Sequence, residues 1–261
     1  MYKMGTNRPN EHEVAMAILN SNESVIKAII INKQWINPVK INELLNKLNK
    51  TDVPNNHLSH KWPDNFMMFA AYNGNKEALI FGLEHNMRFS KLCGYYICKY
   101  GHLSCLELLV TKKWSLKNTD ITLLAFNGHT ECLKYLYEHG GYKLTSELAV
   151  ATCRNGHIIT LQFLIKAGVE ITEEASKVAA INGHVNCLEY LFMHGRPIDK
   201  YILTISSMFG QLECLKWAYN HAYGWDEYTY SRTLHHNHTD CLKFLEEHEC
   251  PKPDKIENLT S

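Results

Sequence analysis

One block, residues 125–140 (AFNGHTECLKYLYEHG), recurs along the chain with a glycine as its fixed point. The glycine returns at Gly74, Gly101, Gly128, Gly156, Gly183 and Gly210, and Asn237 takes its place in a last copy, at steps of 27 residues broken once by a step of 28. A constant period of this length restricts the fold sharply. Each copy is one supersecondary unit too small to bury its own apolar face, so the core must come from stacking neighbours.

Within a copy the pattern predicts helix, tight turn, helix. In the copy around Gly183, Thr172 precedes Glu173 and Glu174, a capping residue followed by acidic side chains where a helix begins. The Asn-Gly pairs at 73, 127, 155 and 182 suit a left-handed helix stop. In the second helices, Leu79, Leu106, Leu133, Leu161, Leu188, Leu215 and Leu242 form one column five residues after the marker. Gly82, Leu109, Leu136, Leu164, Leu191, Ala218 and Leu245 form another, three residues further on, which is the spacing of one helical face. An aromatic-rich column between them (Phe81, Leu108, Tyr135, Phe163, Tyr190, Trp217, Phe244) is expected to widen the apolar stripe. Glu131 with Lys134, Glu213 with Lys216 and Asp240 with Lys243 mark the solvent side. In the first helices small pairs precede the marker, namely Ala70 and Ala71, Ala179 and Ala180, Ser206 and Ser207, and these are expected to let successive copies approach closely.

The G-H-x-x-C-L-x-Y-L-x-x-H-G runs at 128–140 and 183–195, with A-A-x-x-G-H at 179–184, resemble ankyrin repeats. The resemblance covers residues 67–249 and more weakly 11–32. It implies an all-α, helix-turn-helix repeat solenoid. The period is shorter than the usual value of about 33, and the T-P-L-H opening is absent, residues 119–122 reading T-D-I-T. Short loops are therefore expected, with the family's β-hairpins reduced or absent. Residues 1–66 read as a divergent helical cap, 67–249 as the array of seven repeats, and 250–261 as a polar tail. Compact copies of this kind, in an Asn-, Ile- and Lys-rich chain, are similar to ankyrin arrays of protists and of the large DNA viruses that infect them.

Charge and chemistry narrow the function. Twenty-seven basic residues balance twenty-seven acidic ones, which gives no global case for nucleic acid or an anionic membrane. No apolar run is long enough to span a bilayer, and the opening residues lack the apolar core of a signal peptide. A monomeric protein of the reducing cytoplasm is expected, the host's if the source is viral, and the sequons at Asn22, Asn49, Asn237 and Asn258 are discounted on that ground.

The residues that look reactive fall into columns. His102, His129, His157, His184 and His238 follow the marker, one per copy; helices stacked about 8–10 Å apart cannot bring them to one ion about 2 Å away, so they read as turn residues bonded to nearby backbone. His85, His139, His194, His221 and His248 fall in the last turn of the second helix, where a cation is favoured. Cys105, Cys132, Cys187, Cys214 and Cys241 share a column with Ala78 and Thr160 and read as small buried fillers. The dense cluster His235, His236, His238, Cys241, His248 and Cys250 is mostly accounted for by these columns. No phosphate loop, G-x-S-x-G, H-E-x-x-H or paired acid and base appears. The expectation is no catalysis, no metal and no cofactor.

One column refuses to repeat. Two residues before the marker stand Tyr72, Lys99, Phe126, Arg154, Ile181, Met208 and His235. By the ankyrin resemblance these positions edge a concave surface that holds a protein partner, with Trp225, Tyr228 and Tyr230 as further aromatic anchors. Two alternatives stand beside this reading: an adaptor that recruits machinery such as a ubiquitin ligase, and a metal-binding protein using the His/Cys-rich last copy.

Overall fold

In the computed structural model, residues 65–84 and 89–252 are described; all but the last two residues of the expected N-terminal cap, His85 and most of the expected tail lie outside them. The described residues form α1 (Asn65–Tyr72), α2 (Lys76–Glu84), α3 (Lys91–Tyr100), α4 (Leu103–Thr111), α5 (Asn118–Phe126), α6 (Thr130–His139) and α7 (Ser146–Arg154). They continue with α8 (Ile158–Lys166), α9 (Glu173–Ile181), α10 (Val185–Met193), α11 (Ile202–Met208), α12 (Leu212–Asn220), α13 (Thr229–His235) and α14 (Thr239–Glu247). No strand occurs among the described residues, and turns or irregular segments join successive helix pairs.

The chain divides into two compact units, Met1–Asp120 and Ile121–Ser261. In the first, α1 packs on α2 and α3, and α4 on α2 and α3. In the second, α7, α9, α11 and α13 contact one another in succession, and so do α6, α8, α10, α12 and α14. The two rows are tied by packing within each pair, α7 on α8, α9 on α10, α11 on α12 and α13 on α14.

The marker glycines make the tight turn possible. Gly128 has φ of +73° and Gly183 of +78°, a region that a side chain disfavours. With glycine there, the first helix closes by the two bonds of a Schellman motif: Gly128 N donates to Ala125 O at 3.2 Å and His129 N to Leu124 O at 2.8 Å. The carbonyl of His129 then accepts from Leu133 N and starts the next helix. Thr172 stands at the N-cap of α9 as expected, although its side chain makes no capping bond. The 28-residue step is absorbed by α6, which has 10 residues where α8 and α10 have 9.

Burial follows the columns. Leu79, Leu106, Leu133, Leu161, Leu188 and Leu215 are fully buried, while Leu242, in the last described pair, is only partly so. At Gly82 the column loses its leucine because the Met67 sulfur occupies the place where a Cβ would stand. The small pairs Ala70 and Ala71, Ala179 and Ala180, and Ser206 and Ser207 are fully enclosed. The aromatic column is less buried than expected: Tyr135, Phe163, Tyr190 and Phe244 keep part of their surface in solvent. Several members of the column stack on the histidine four residues on. Tyr190 lies on His194 at 3.9 Å, Trp217 on His221 at 4.4 Å and Phe244 on His248 at 4.0 Å. Of the expected surface pairs, Glu131–Lys134 and Glu213–Lys216 form at 2.7 and 2.8 Å. Lys243 instead reaches Glu247, one turn onward.

Thr152 is an exception in the core. It is fully buried, and its hydroxyl has no hydrogen-bond partner. Such a group carries an uncompensated desolvation cost of about 1–3 kcal/mol. Thr152→Val, which keeps the shape and removes the hydroxyl, is therefore expected to raise stability by about 1 kcal/mol, read as a higher urea midpoint; a fall of that size would show that the hydroxyl is satisfied.

Candidate functional site

The column that varies keeps part of its surface in solvent along the described residues. Tyr72, Phe126, Arg154, Ile181, Met208 and His235 are the last residues of α1, α5, α7, α9, α11 and α13, and Lys99 is the penultimate residue of α3. None of the seven is buried. The cysteines immediately before Lys99 and Arg154, Cys98 and Cys153, are fully enclosed, so the change from core to surface takes one residue.

The main chain at these positions is fixed from the next helix pair. His102 Nε2 donates to the carbonyl of Tyr72 at 2.8 Å, His157 Nε2 to that of Phe126 at 2.9 Å and His184 Nε2 to that of Arg154 at 3.1 Å. A carbonyl only accepts, so Nε2 carries the proton in each case. Gln211 replaces histidine in the following pair and donates its amide to Ile181 O at 3.0 Å. The Phe126 carbonyl also accepts from Asn155 Nδ2 at 2.7 Å. The ring sits flat against the marker glycine of the previous pair: a Cβ on Gly128 would lie 2.6 Å from His157 Nδ1. Glycine and histidine are thus a matched set across copies, and the turn reading of this histidine column is extended to a bond between neighbours.

The second histidine column is also structural. His194, His221 and His248 each donate Nδ1–H to the carbonyl four residues earlier, on Tyr190, Trp217 and Phe244. These rings close the helix ends and lie flat on the aromatic below. The aromatic of one pair also meets the stack of the next edge-on, Phe192 against His221 at 4.6 Å and Tyr219 against His248 at 4.6 Å.

The cysteines are all buried and none is joined in a disulfide. Burial pushes Cys105 and Cys214 up to about 12 and Cys241 up to about 11, so they stay protonated and are poor nucleophiles. Hydrogen bonding to Cys187, with burial second, raises Cys153 as well. In the last copy, His236 and His238 are near parallel at 6.2 Å, and His248 is committed to a carbonyl. Among the described residues no three His, Cys, Asp or Glu side chains are placed to hold a metal ion, and no helix is long and apolar enough to cross a membrane.

Neither a family model nor a curated protein matches the chain.

The structure also sorts the aromatic anchors. Tyr228 is half exposed with the Arg232 guanidinium over its ring, and Trp225 stacks on Tyr219 at 5.3 Å. Tyr230 is buried and is no anchor: its hydroxyl donates to Glu246 at 2.8 Å, and Lys252 Nζ donates to the same oxygen at 2.8 Å. The Lys252 ammonium, with Tyr230 second, holds the Glu246 carboxyl below its usual range. A depressed carboxyl stabilises the fold above its unfolded pKa and loses that contribution as pH falls through its folded value. The stability difference between the parent and Glu246→Gln is expected to shrink on acidification through the carboxylate range; a pH-independent difference in urea midpoints would contradict the clasp.

Around Tyr72 and Lys99 the structure gathers more than their column. Tyr72 meets Tyr96 at 5.6 Å and Tyr100 at 4.9 Å, both edge-on, and Lys99 Nζ lies 5.5 Å from the Tyr100 ring. The sequence signal for this cluster is the run Tyr95, Tyr96, Lys99, Tyr100, in which Tyr96 and Tyr100 are four apart on one helix face.

Proposed function

We propose that the chain is a non-enzymatic protein-binding module, an ankyrin-like array of stacked helix pairs that holds a protein partner on the column Tyr72, Lys99, Phe126, Arg154, Ile181, Met208 and His235. One observation carries this reading. At these positions the side chains differ from copy to copy and none is buried, while the carbonyls of Tyr72, Phe126, Arg154 and Ile181 are each anchored by the next pair. A framework that holds the main chain and leaves the side chain to vary suits recognition by surface contacts, copy by copy. The stacked-pair contacts and the absence of strands among the described residues support the ankyrin-like architecture.

The test is co-purification from cells, comparing the parent chain with a variant carrying Tyr72→Ala, Lys99→Glu and Arg154→Ala, followed by mass spectrometry. Loss of specific partners with unchanged helicity is the expected result. An identical set of captured proteins from both would overturn the site.

A further inference from the structure

We propose that the part of the column in the second unit, Phe126, Arg154, Ile181 and Met208, takes a proline-rich segment of the partner protein in the polyproline II conformation, with one acidic residue of that segment on the Arg154 guanidinium. This deepens the reading of the column as the partner's site and rests on it.

The row is one side chain wide. The residues just before its members, Ala125, Cys153, Ala180 and Ser207, are fully enclosed. The residues just after are Asn127, Asn155 and Asn182, until Phe209 takes that place. Phe126, Ile181 and Met208 are themselves half-buried, so each offers one apolar side. An amphipathic helix brings an apolar stripe broader than such a file, whereas a polyproline II helix shows one residue per turn along an edge.

The spacing of the row matches that turn. Each member is tied to the next copy, the Phe126 carbonyl by His157, that of Arg154 by His184 and that of Ile181 by Gln211. The first helices α7, α9 and α11 pack on one another in succession, and packed helices stand about 8–10 Å apart. One polyproline II turn of three residues rises about 9 Å, which gives one turn per copy. A β-strand fits less well, because its successive side chains point to opposite faces. It also needs main-chain acceptors along its edge, and the three carbonyls already have donors. Proline has no N–H to satisfy.

Charge sets the remaining requirement. Arg154 is exposed, and its guanidinium has no hydrogen-bond or ion-pair partner among the described residues. The turn ends of its own copy and the next, residues 151–159 and 178–186, contain no Asp or Glu. In the copy before, Glu131 is paired with Lys134 at 2.7 Å. A carboxylate from the partner matches the planar fork of arginine donors and forms charge-assisted hydrogen bonds with it.

The experiment is fluorescence anisotropy on the full chain at one ionic strength with four labelled probes. Three are polyproline peptides with a central Glu, Lys or Gln, and the fourth is an alanine-rich helical peptide with Leu at heptad spacing around a Glu. The polyproline peptide with Glu is expected to bind at least about tenfold tighter than that with Lys, and several-fold tighter than the other two. Arg154→Glu should reverse the order of the Glu and Lys peptides with helicity unchanged, and the milder Arg154→Gln should bring the Glu and Gln peptides level. Ile181→Ser should weaken all three polyproline peptides alike. Equal binding of the Glu and Lys peptides, tightest binding of the helical peptide, or an order that Arg154→Glu leaves in place would overturn the proposal. If the polyproline peptides fail while co-purified partners still depend on Tyr72, Lys99 and Arg154, the proline-rich inference falls and the protein-binding function stands. If the peptides behave as expected while partners are indifferent to those residues, the wider column falls instead.

Discussion

Leu188→Ala will lower stability by about 2–5 kcal/mol, the range for truncating a fully enclosed leucine whose surroundings cannot collapse into the space. Leu188 is completely buried on α10, a helix that packs against α8, α9 and α12. The sharper form of the expectation is a comparison. Leu242 occupies the same column on α14 but keeps part of its surface in solvent, so Leu242→Ala should cost clearly less. Urea unfolding of both variants provides the measurement, with the slope checked so that a change in midpoint reports stability alone. Equal losses at the two leucines would mean that burial in the second-helix column is not what holds the pairs together.

Gly128→Ala is expected to cost about 2–3 kcal/mol, from two separable causes. The left-handed backbone at φ +73° penalises any Cβ by about 1–2 kcal/mol. The same Cβ would also stand 2.6 Å from Nδ1 and 2.7 Å from Cγ of His157, displacing the ring and with it the bond to Phe126 O, a net loss of about 1 kcal/mol. A double-mutant cycle with His157→Ala divides the two. In the alanine background the steric part disappears and the backbone part remains, so the double variant loses less than the sum of the two single losses, a coupling between sites distant in sequence and adjacent in space. Strict additivity would show that glycine is there for the turn alone.

How much was legible in the chain follows from what repeats. Seven copies in register disclose the helix pairs, the leucine columns and the glycine turns, because each of these depends on contacts that recur in most copies. The spacing of Leu133 and Leu136 points to one buried face, and both are buried. Features that arise between copies were harder to read. The bond from His157 to Phe126 O spans 31 residues, and no single copy contains both ends. Large rings in the aromatic column read as a widening of the apolar stripe, yet Tyr190 and Phe244 are only partly buried and also stack on the histidine four residues on. Lys243 offered two acids at helical spacing, and the choice of Glu247 over Asp240 is a matter of side-chain geometry.

Backbone conformation away from the marker was also hidden. Lys113, Ala222 and Glu249 adopt positive φ where Gly168 and Gly195 stand in sister copies, a position that composition does not reveal when glycine is missing. In the candidate site, variability alone marked the column. The tyrosine cluster around Lys99 escaped because its members come from two helices, Tyr72 on α1 and Tyr96 and Tyr100 on α3, and belong to no repeated pattern.

The central claim is that the partner meets the chain at the ends of the first helices. It is tested most directly by placing a photo-activated benzophenone amino acid at Phe126, Arg154 or His235, and as controls at Lys134, Lys216 or Lys243 on the second helices, then irradiating in cells. Crosslinks to one and the same protein from the first three positions and none from the controls are the expected result. Crosslinks from the second-helix positions alone would contradict the account.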